Sequence, residues 1–354
     1  MKKVLLACLE HAPGINPPEF SIEYLNFYLP LLQIKNVEID FFPLDKVNVL
    51  GGRQISLELK SFLERKKFDL LIIVSFYHNL DKKIFQEIKE RKLTETLAIF
   101  FDEDTDLYQR SLSWAPYLDH LITFYPPAYQ EYKKRGYNVL GMDWFVNREF
   151  YNPGIRHQES GVNDIDVSFI GSAKPERKKL VEKIKRAGIN IQTWGVGWPN
   201  GPVNFKQMID IFRRSKINLN LGMGKSIWRW QTPFRIFFSP AKNKFGLKLN
   251  LKNIVGNWKT IINRRQPQCR ARPFEIMACR AFVLTNSNAP LFGDFQDGEN
   301  IAFYRNEKDL IAKIKYYLTH DAERKAIANR AYQKIIKENS AVVCWENILS
   351  KVVR

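Results

Sequence analysis

The sequence predicts an α/β protein of two tandem, Rossmann-like, doubly wound domains facing a cleft. Three observations predict it. Short unbroken apolar runs alternate with amphipathic stretches, and they do so in two separate series. A polar stretch bearing proline and glycine divides the series. The chain has 354 residues, 45% hydrophobic and 13% aromatic, enough to fill two cores and to exclude wholesale disorder.

In the first series, residues 4–9, 37–42, 70–74, 97–101 and 121–124 read as strands. They are too short for helices and lack polar alternation, as parallel strands covered on both faces should. Residues 57–67 and 81–91 have helical spacing. Residues 152–164 (NPGIRHQESGVND) form the expected linker, with Pro153, Gly154 and Gly161 as breakers. The second series opens with a strand at 166–170 and a Gly171-Ser172 turn. Pro175 then starts a helix over 176–187, which Gly188 stops. Strands follow at 189–194, 217–221 and 282–285, with helices at 205–214 and 274–279. Asn306 and Asp309 resemble a capping pair for a helix ending near Leu318. Helical patterns over 321–338 and 341–353 close the chain. The expected division is a first domain at 1–151, the linker, a second domain at 165–338 and a C-terminal helix at 339–354.

Lys and Arg number 55 against 37 Asp and Glu, a formal charge of +18. Fifteen of those cations lie between Ile211 and Phe274, where no acid occurs. The middle of that segment, 225–263, is also aromatic, with Trp228, Trp230, Phe234, Phe237, Phe238, Phe245 and Trp258. It reads either as a solvated basic insertion or as a docking surface for an anionic membrane or glycan. No RRM, KH, helix-turn-helix or zinc-finger pattern accompanies the charge, which argues against nucleic acid. The four cysteines, Cys8, Cys269, Cys279 and Cys344, form no CxxC pair. A reduced, cytoplasmic protein without a Cys/His metal cluster is expected, peripheral at the inner face of the membrane if the basic segment docks there. The apolar run after Met1-Lys2-Lys3 is too short for a signal peptide, and no run reaches spanning length.

Three segments could carry chemistry. Around Arg270, Arg272, Phe274 and Glu275, two arginines precede a helix start with a carboxylate in its first turn. Guanidiniums and free N–H groups there suit a diphosphate, and the carboxylate suits ribose hydroxyls. A helix-start glutamate among exposed arginines is the plain alternative. Gly171, Ser172 and Arg177 lie where a strand gives way to a helix, so backbone amides could face an anion. Asp102-Glu103-Asp104 follows a strand, and Asp102 or Asp104 could act as general base or merely cap a helix. The five histidines share no motif spacing; His11, after the first strand, stands behind the aspartates as a base candidate. The loop WGVGWPNG, containing Gly195, follows a strand but lacks the GxGxxG order. No HExxH, GxSxG or P-loop motif is present.

Taken in order, FDED at 101–104, DVSFIG at 166–171, WGVGWPNG at 194–201, SKINLNLG at 215–222, RARPFEIMAC at 270–279 and KIKYYLTHDAERKAIANRAYQKI at 313–335 resemble the spore-maturation-protein-like glycosyltransferases, a group of GT-B-fold enzymes. The match runs from about residue 97 to 338 and is densest in the second domain. It implies a nucleotide-diphosphate sugar on the second domain and an acceptor (glycan, lipid or protein) on the first. It also implies metal-independent transfer, with no cofactor. By the same resemblance Glu275 matches the ribose-binding glutamate, and Arg272 and Arg270 match basic residues near the diphosphate. Gly171, Ser172 and Arg177 fall on the phosphate side. Two departures stand out. The pattern has Gly-Gly after the cysteine, where this chain has Arg280-Ala281, so the helix end must close differently. A second glutamate that many relatives carry is Pro267 here. The alternative function is a catalytically inactive scaffold of the same fold that binds anionic membrane or glycan surfaces.

Overall fold

The computed structural model describes residues 1–12, 18–74, 80–103, 107–151, 164–222, 238–240, 247–249, 271–287 and 291–352. Among them, one compact unit takes 1–142, 238–240, 247–249 and 345–352, and a second takes 143–222 and 271–344.

The first unit holds six parallel strands. They are β1 (Lys2–Cys8), β2 (Val37–Pro43), β3 (Leu70–Val74), β4 (Glu95–Phe100), β5 (His120–Thr123) and β6 (Val139–Gly141), in the order β2-β1-β3-β4-β5-β6. Val4 lies opposite Ile39 on one side and Leu70 on the other. Every residue of β3, LLIIV, is buried, as its unbroken apolar run demands. Helix α1 (Gly52–Arg65) turns Ile55, Leu59 and Leu63 inward, and α2 (Lys82–Glu90) turns Ile84, Phe85 and Ile88 inward. Both pack into one core with Leu5, Ala7, Leu71 and Ile73. The Asp81 side chain accepts from the Lys83 N–H, 2.9 Å, and so caps α2. Helix α3 (Pro126–Lys134) opens on proline, which has no N–H to leave unpaired.

The second unit holds five parallel strands, β7 (Ile165–Ile170), β8 (Ile191–Trp194), β9 (Ser215–Asn220), β12 (Val283–Asn286) and β13 (Ala302–Tyr304), in the order β13-β12-β9-β7-β8. In both sheets the chain reverses its lateral direction beside the first strand of the unit, between β1 and β3 and between β7 and β9. Open α/β sheets bind ligands at that switch point, beyond the carboxyl ends. A short helix α4 (Arg148–Tyr151) precedes β7. The longer helices that follow are α5 (Pro175–Arg186), α6 (Phe205–Arg214), α7 (Ala271–Ala278), α8 (Glu307–Thr319), α9 (Asp321–Glu338) and α10 (Ala341–Val352). Asn204 and Gln207 form a reciprocal capping box on α6, at 2.9 and 3.0 Å. At α8 the Asn306 side chain accepts from the Asp309 N–H, but Asp309 accepts from the Arg305 N–H, so the expected pair is half a box. Phe238–Pro240 and Leu247–Leu249, β10 and β11, pair antiparallel.

The units part at Met142, ahead of the boundary expected at 151. Asp143 accepts from the Phe292 and Gly293 N–H groups at 2.9 and 2.6 Å, and Val146 bridges Ser340, which ties 143–151 to the second unit. Helix α7 starts at Ala271, three residues before the expected Phe274. Its end closes in the left-handed conformation that glycine favours, with Arg280 at φ 56°. The Arg280 N–H bonds Met277 O at 3.0 Å and the Ala281 N–H bonds Ile276 O at 3.2 Å, a Schellman cap with arginine in the glycine place. The expected linker (152–164, all but Asp164), Asp104 and Arg270 lie outside the described residues, as does 225–263 apart from β10 and β11. None of the described helices is long and apolar enough to cross a membrane.

Candidate functional site

In the second unit, β7 ends against its neighbour strand and the loop that follows it. The Gly171 N–H bonds Trp194 O at 2.8 Å, and the Trp198 indole N–H bonds Gly171 O at 2.8 Å. The Ala173 N–H bonds Val196 O at 2.9 Å. Gly195, at φ 121°, lies flush on this turn, where a Cβ would stand 2.5 Å from Gly171 O. Only glycine permits that approach.

Arg177, in the first turn of α5, reaches back over the same turn. Its Nη1 donates to Ser172 O at 3.1 Å and to Ser172 Oγ at 3.3 Å, and its Nε donates to Leu221 O at 3.2 Å. Its guanidinium lies 5.3 Å from the Phe169 ring centre. Leu221 follows β9, so Arg177 spans the switch point between β7 and β9. A guanidinium beside a helix start at a switch point carries charge of the sign that attracts an anion. Asn220 donates to Thr285 Oγ1 at 2.8 Å, which ties β9 to β12 at the same edge. The Tyr304 hydroxyl donates to Asn220 O at 3.4 Å, and burial pushes its pKa up to about 12.

The second group belongs to α7. Arg272 Nη1 stands 2.8 Å from Glu275 Oε2, and the Tyr151 hydroxyl donates to Glu275 Oε1 at 3.1 Å. Glu275 is only 3% exposed. The Arg272 guanidinium lies over the Phe212 ring at 5.5 Å and meets the Met208 sulfur. Arg213 donates to Tyr151 O at 2.7 Å, fixing α4 against α6. Because α7 starts at Ala271, Glu275 lies past the first turn where it was expected and Arg272 lies inside the helix, and the carboxylate is a buried acceptor with two donors already on it. An ionised carboxylate offers about four lone-pair directions, so some remain. Phe274 needs correcting. Its ring is 1% exposed and packs edge-on to Phe295 at 5.7 Å, which makes its side chain core rather than ligand-facing.

In the first unit, Asp102 follows β4 at φ 52°. Glu103 is buried, accepting from the Tyr132 hydroxyl at 2.6 Å and from the Thr123 hydroxyl. That acid of the trio holds the β4 and β5 ends to α3. His11 lies just past β1, with Nδ1 3.4 Å from Asp45 Oδ1.

The structure thus joins Gly171, Ser172, Arg177 and Gly195 in one cluster, and Arg272 with Glu275 in another. Sequence reasoning missed Tyr151, Leu221, Met208, Phe212 and Asp45. Tyr151 carried no signal beyond its place before the polar linker. Asp45 was readable, because parallel β1 and β2 pair Cys8 with Pro43 and so bring Glu10 beside Asp45. Among the described residues no group of three His, Cys, Asp or Glu could hold a metal ion.

Residues 176–250 and 241–350 match the family model described as "Glycosyl transferase-like". No curated protein matches the sequence. Solved structures with the same fold include sucrose-phosphate synthase from Thermosynechococcus elongatus, at TM-score 0.57 and 9% identity over 99% of both chains. HepE of Anabaena, solved with UDP and glucose, gives 0.60 and 11%, again over 99% of both chains. A glycosyltransferase from Rickettsia africae gives 0.57 and 10% over 100% of this chain and 99% of that one. Residues 176–350 thus form a glycosyltransferase-like domain, and the chain, with two parallel-sheet units, has the fold of the GT-B glycosyltransferases.

Proposed function

We propose that the chain moves a sugar from a nucleotide-diphosphate donor to a hydroxyl of a glycan, lipid or protein, without a bound metal. The observation that carries this is the β7 turn. Gly171 and Ser172 are clasped by Gly195 and overlaid by Arg177, at the switch point of the unit that matches the glycosyltransferase-like model. The neighbours solved with UDP and with UDP-glucose support a sugar nucleotide as donor. The serial motifs of residues 97–338 support the spore-maturation-protein-like group as the kind of glycosyltransferase.

In this reading the diphosphate lies at the β7 turn and the α5 start. Negative charge grows on the bridging oxygen as the glycosidic carbon becomes cationic. Arg177 and Arg272, with Arg270, supply the compensating charge, and each charge-assisted bond contributes about 1.5–3 kcal/mol. Two such bonds account for roughly 10²–10⁴-fold in rate. Glu275 holds Arg272 in place and keeps lone pairs for ribose hydroxyls. Asp102, Asp104 and His11 are the candidate bases on the acceptor side. The basic aromatic residues 225–263 supply a contact for an anionic membrane.

The experiment is calorimetric titration with UDP-, GDP- and dTDP-glucose. The wild type binds one of them; Arg177→Ala, Arg272→Lys and Glu275→Gln each weaken it by about tenfold or more. The lysine keeps a cation beside buried Glu275 while removing the planar fork, so the fold is retained. Equal affinity in all four proteins overturns the assignment.

A further inference from the structure

The Glu275 carboxylate takes one donor on each oxygen. Arg272 Nη1 stands 2.8 Å from Oε2, and the Tyr151 hydroxyl donates to Oε1 at 3.1 Å. Both partners belong, like Glu275, to the second unit. The two contacts do different things. A donor at one oxygen ties the carboxylate down but leaves it free to turn about its last bond, a torsion that is broad and roughly two-fold. A donor at the other oxygen fixes the plane. Each oxygen offers about two lone-pair directions, so each keeps one, now in a set direction, for a further donor.

Tyr151 is itself anchored at ring and main chain. Its ring is fully buried and meets Phe150 edge-on at 5.2 Å, and Phe150 meets Phe205 at 5.6 Å. Its carbonyl accepts from Arg213 Nη2 at 2.7 Å. Its N–H bonds Asn147 O at 3.2 Å, and Asn147 Oδ1 accepts from the Glu149 N–H at 3.1 Å. Helix α4 has only four residues, and a helix of that length does not persist by itself, so these anchors decide where the hydroxyl sits. Arg272 is held in the same manner, over the Phe212 ring at 5.5 Å and against the Met208 sulfur. Helix α6 therefore supports both donors of Glu275, through Met208 and Phe212 on one side and Phe205 and Arg213 on the other. Arg272 already balances the charge of the buried carboxylate. The Tyr151 hydroxyl adds no charge; it adds direction.

We propose that Tyr151 is a positioning residue for nucleotide recognition. It sets the plane of the Glu275 carboxylate so that the two remaining lone pairs accept from the two neighbouring hydroxyls of a ribose, and it thereby makes the site select ribonucleotides over their 2′-deoxy forms. The inference rests on the sugar-nucleotide reading above. A ribose offers two donors side by side, and only a carboxylate held in one plane accepts from both at once. With 2′-deoxyribose one lone pair of a buried, oriented acceptor stays unpaired, and sites of that kind reject the analogue that lacks the hydroxyl. A carboxylate free to turn loses that penalty along with the ribose contact.

The test is calorimetric titration of the full chain with UDP, GDP, 2′-deoxy-UDP and 2′-deoxy-GDP. The wild type is expected to bind one ribonucleotide about 10–100-fold more tightly than its 2′-deoxy form. Tyr151→Phe keeps the ring and removes the hydroxyl. It should cut that ratio about fivefold or more by weakening the ribonucleotide, with the 2′-deoxy form changed less than about twofold. Arg213→Gln loosens the Tyr151 carbonyl, keeps the hydroxyl and should cut the ratio by a smaller factor, about twofold. In a Glu275→Gln background Tyr151→Phe should leave the ratio as it is, because the hydroxyl acts through that carboxylate. A role confined to folding weakens both nucleotides in parallel; an unchanged ratio in both single variants, or a further fall in the Glu275→Gln background, overturns the proposal. A wild type that binds a ribonucleotide no better than its 2′-deoxy form overturns it while the diphosphate reading stands. Absence of nucleotide binding in the wild type overturns both.

Discussion

The Tyr151 hydroxyl meets the Glu275 carboxylate at 3.1 Å, joining α4 to α7 across 124 residues of sequence. Glu275 is buried, and Arg272 holds its other oxygen at 2.8 Å. Tyr151→Phe keeps the ring in place, yet leaves Oε1 without that donor. Urea unfolding is expected to show about 1–3 kcal/mol lost. Glu275→Gln in the same background adds less than its separate effect, with a coupling of about 0.5 kcal/mol or more. Strict additivity would mean the two groups do not support each other.

Among the described glycines of the second unit, Gly195 is the one least able to accept a side chain. A methyl there meets Gly171 O at 2.5 Å, and the backbone stands at φ 121°. Both objections act together, so Gly195→Ala is expected to destabilise by about 2–5 kcal/mol and to weaken donor binding with it. Gly136 is the control. It also has a positive φ, 76°, but nothing lies within 4 Å of its added Cβ. Gly136→Ala should lose only about 1–2 kcal/mol. Equal losses at the two sites would deny the close packing of the β7 turn.

Much of this was readable beforehand where one physical cue acted alone. The apolar run at 70–74 could only be a doubly covered strand, and it is β3. The helical run at 205–214 is α6 with the same bounds. Where two cues compete, the reading slips. The helix read from 274 begins instead at Ala271, because Pro273, having no N–H to lose, is tolerated in the first turn. β6 and β13 are three residues each, too short for periodicity to register. The site was legible as segments and not as partners. Glu275 stood out by its motif, whereas its Tyr151 contact depends on how α4 packs, which no local pattern encodes. Phe274 shared the motif but faces the core, because on a helix adjacent residues point in different directions.

Arg280 occupies a left-handed position that costs a non-glycine residue about 1–2 kcal/mol. Its guanidinium lies 4.5 Å from the Tyr332 ring centre, a contact contributing about 0.5–2 kcal/mol. Arg280→Ala removes the contact and keeps the strain, so it should destabilise by about 1–2 kcal/mol in urea. Arg280→Gly removes both and should fall within about 1 kcal/mol of the wild type. If alanine proves no worse than glycine, the stack on Tyr332 does not offset the backbone strain.

Cys279 and Cys344 give a pH dependence with a definite sign. Burial pushes each thiol up to about 12, from an ordinary value of 9.0, and burial also raises Cys8. The folded protein therefore keeps these protons where the unfolded chain has released them. Their contribution to stability is complete below about pH 9, declines as the unfolded thiols ionise, and is gone once pH passes about 12. Since the thiolate is the nucleophile, the three should resist alkylation by iodoacetamide at pH 8 in the folded protein and react on unfolding in urea. Mass spectrometry of the labelled peptides separates each site. Cys279→Ala should leave a shallower fall of stability between pH 9 and 11 than the wild type shows. Labelling of Cys279 at the rate of a free thiol in the native protein would contradict its burial at the end of α7.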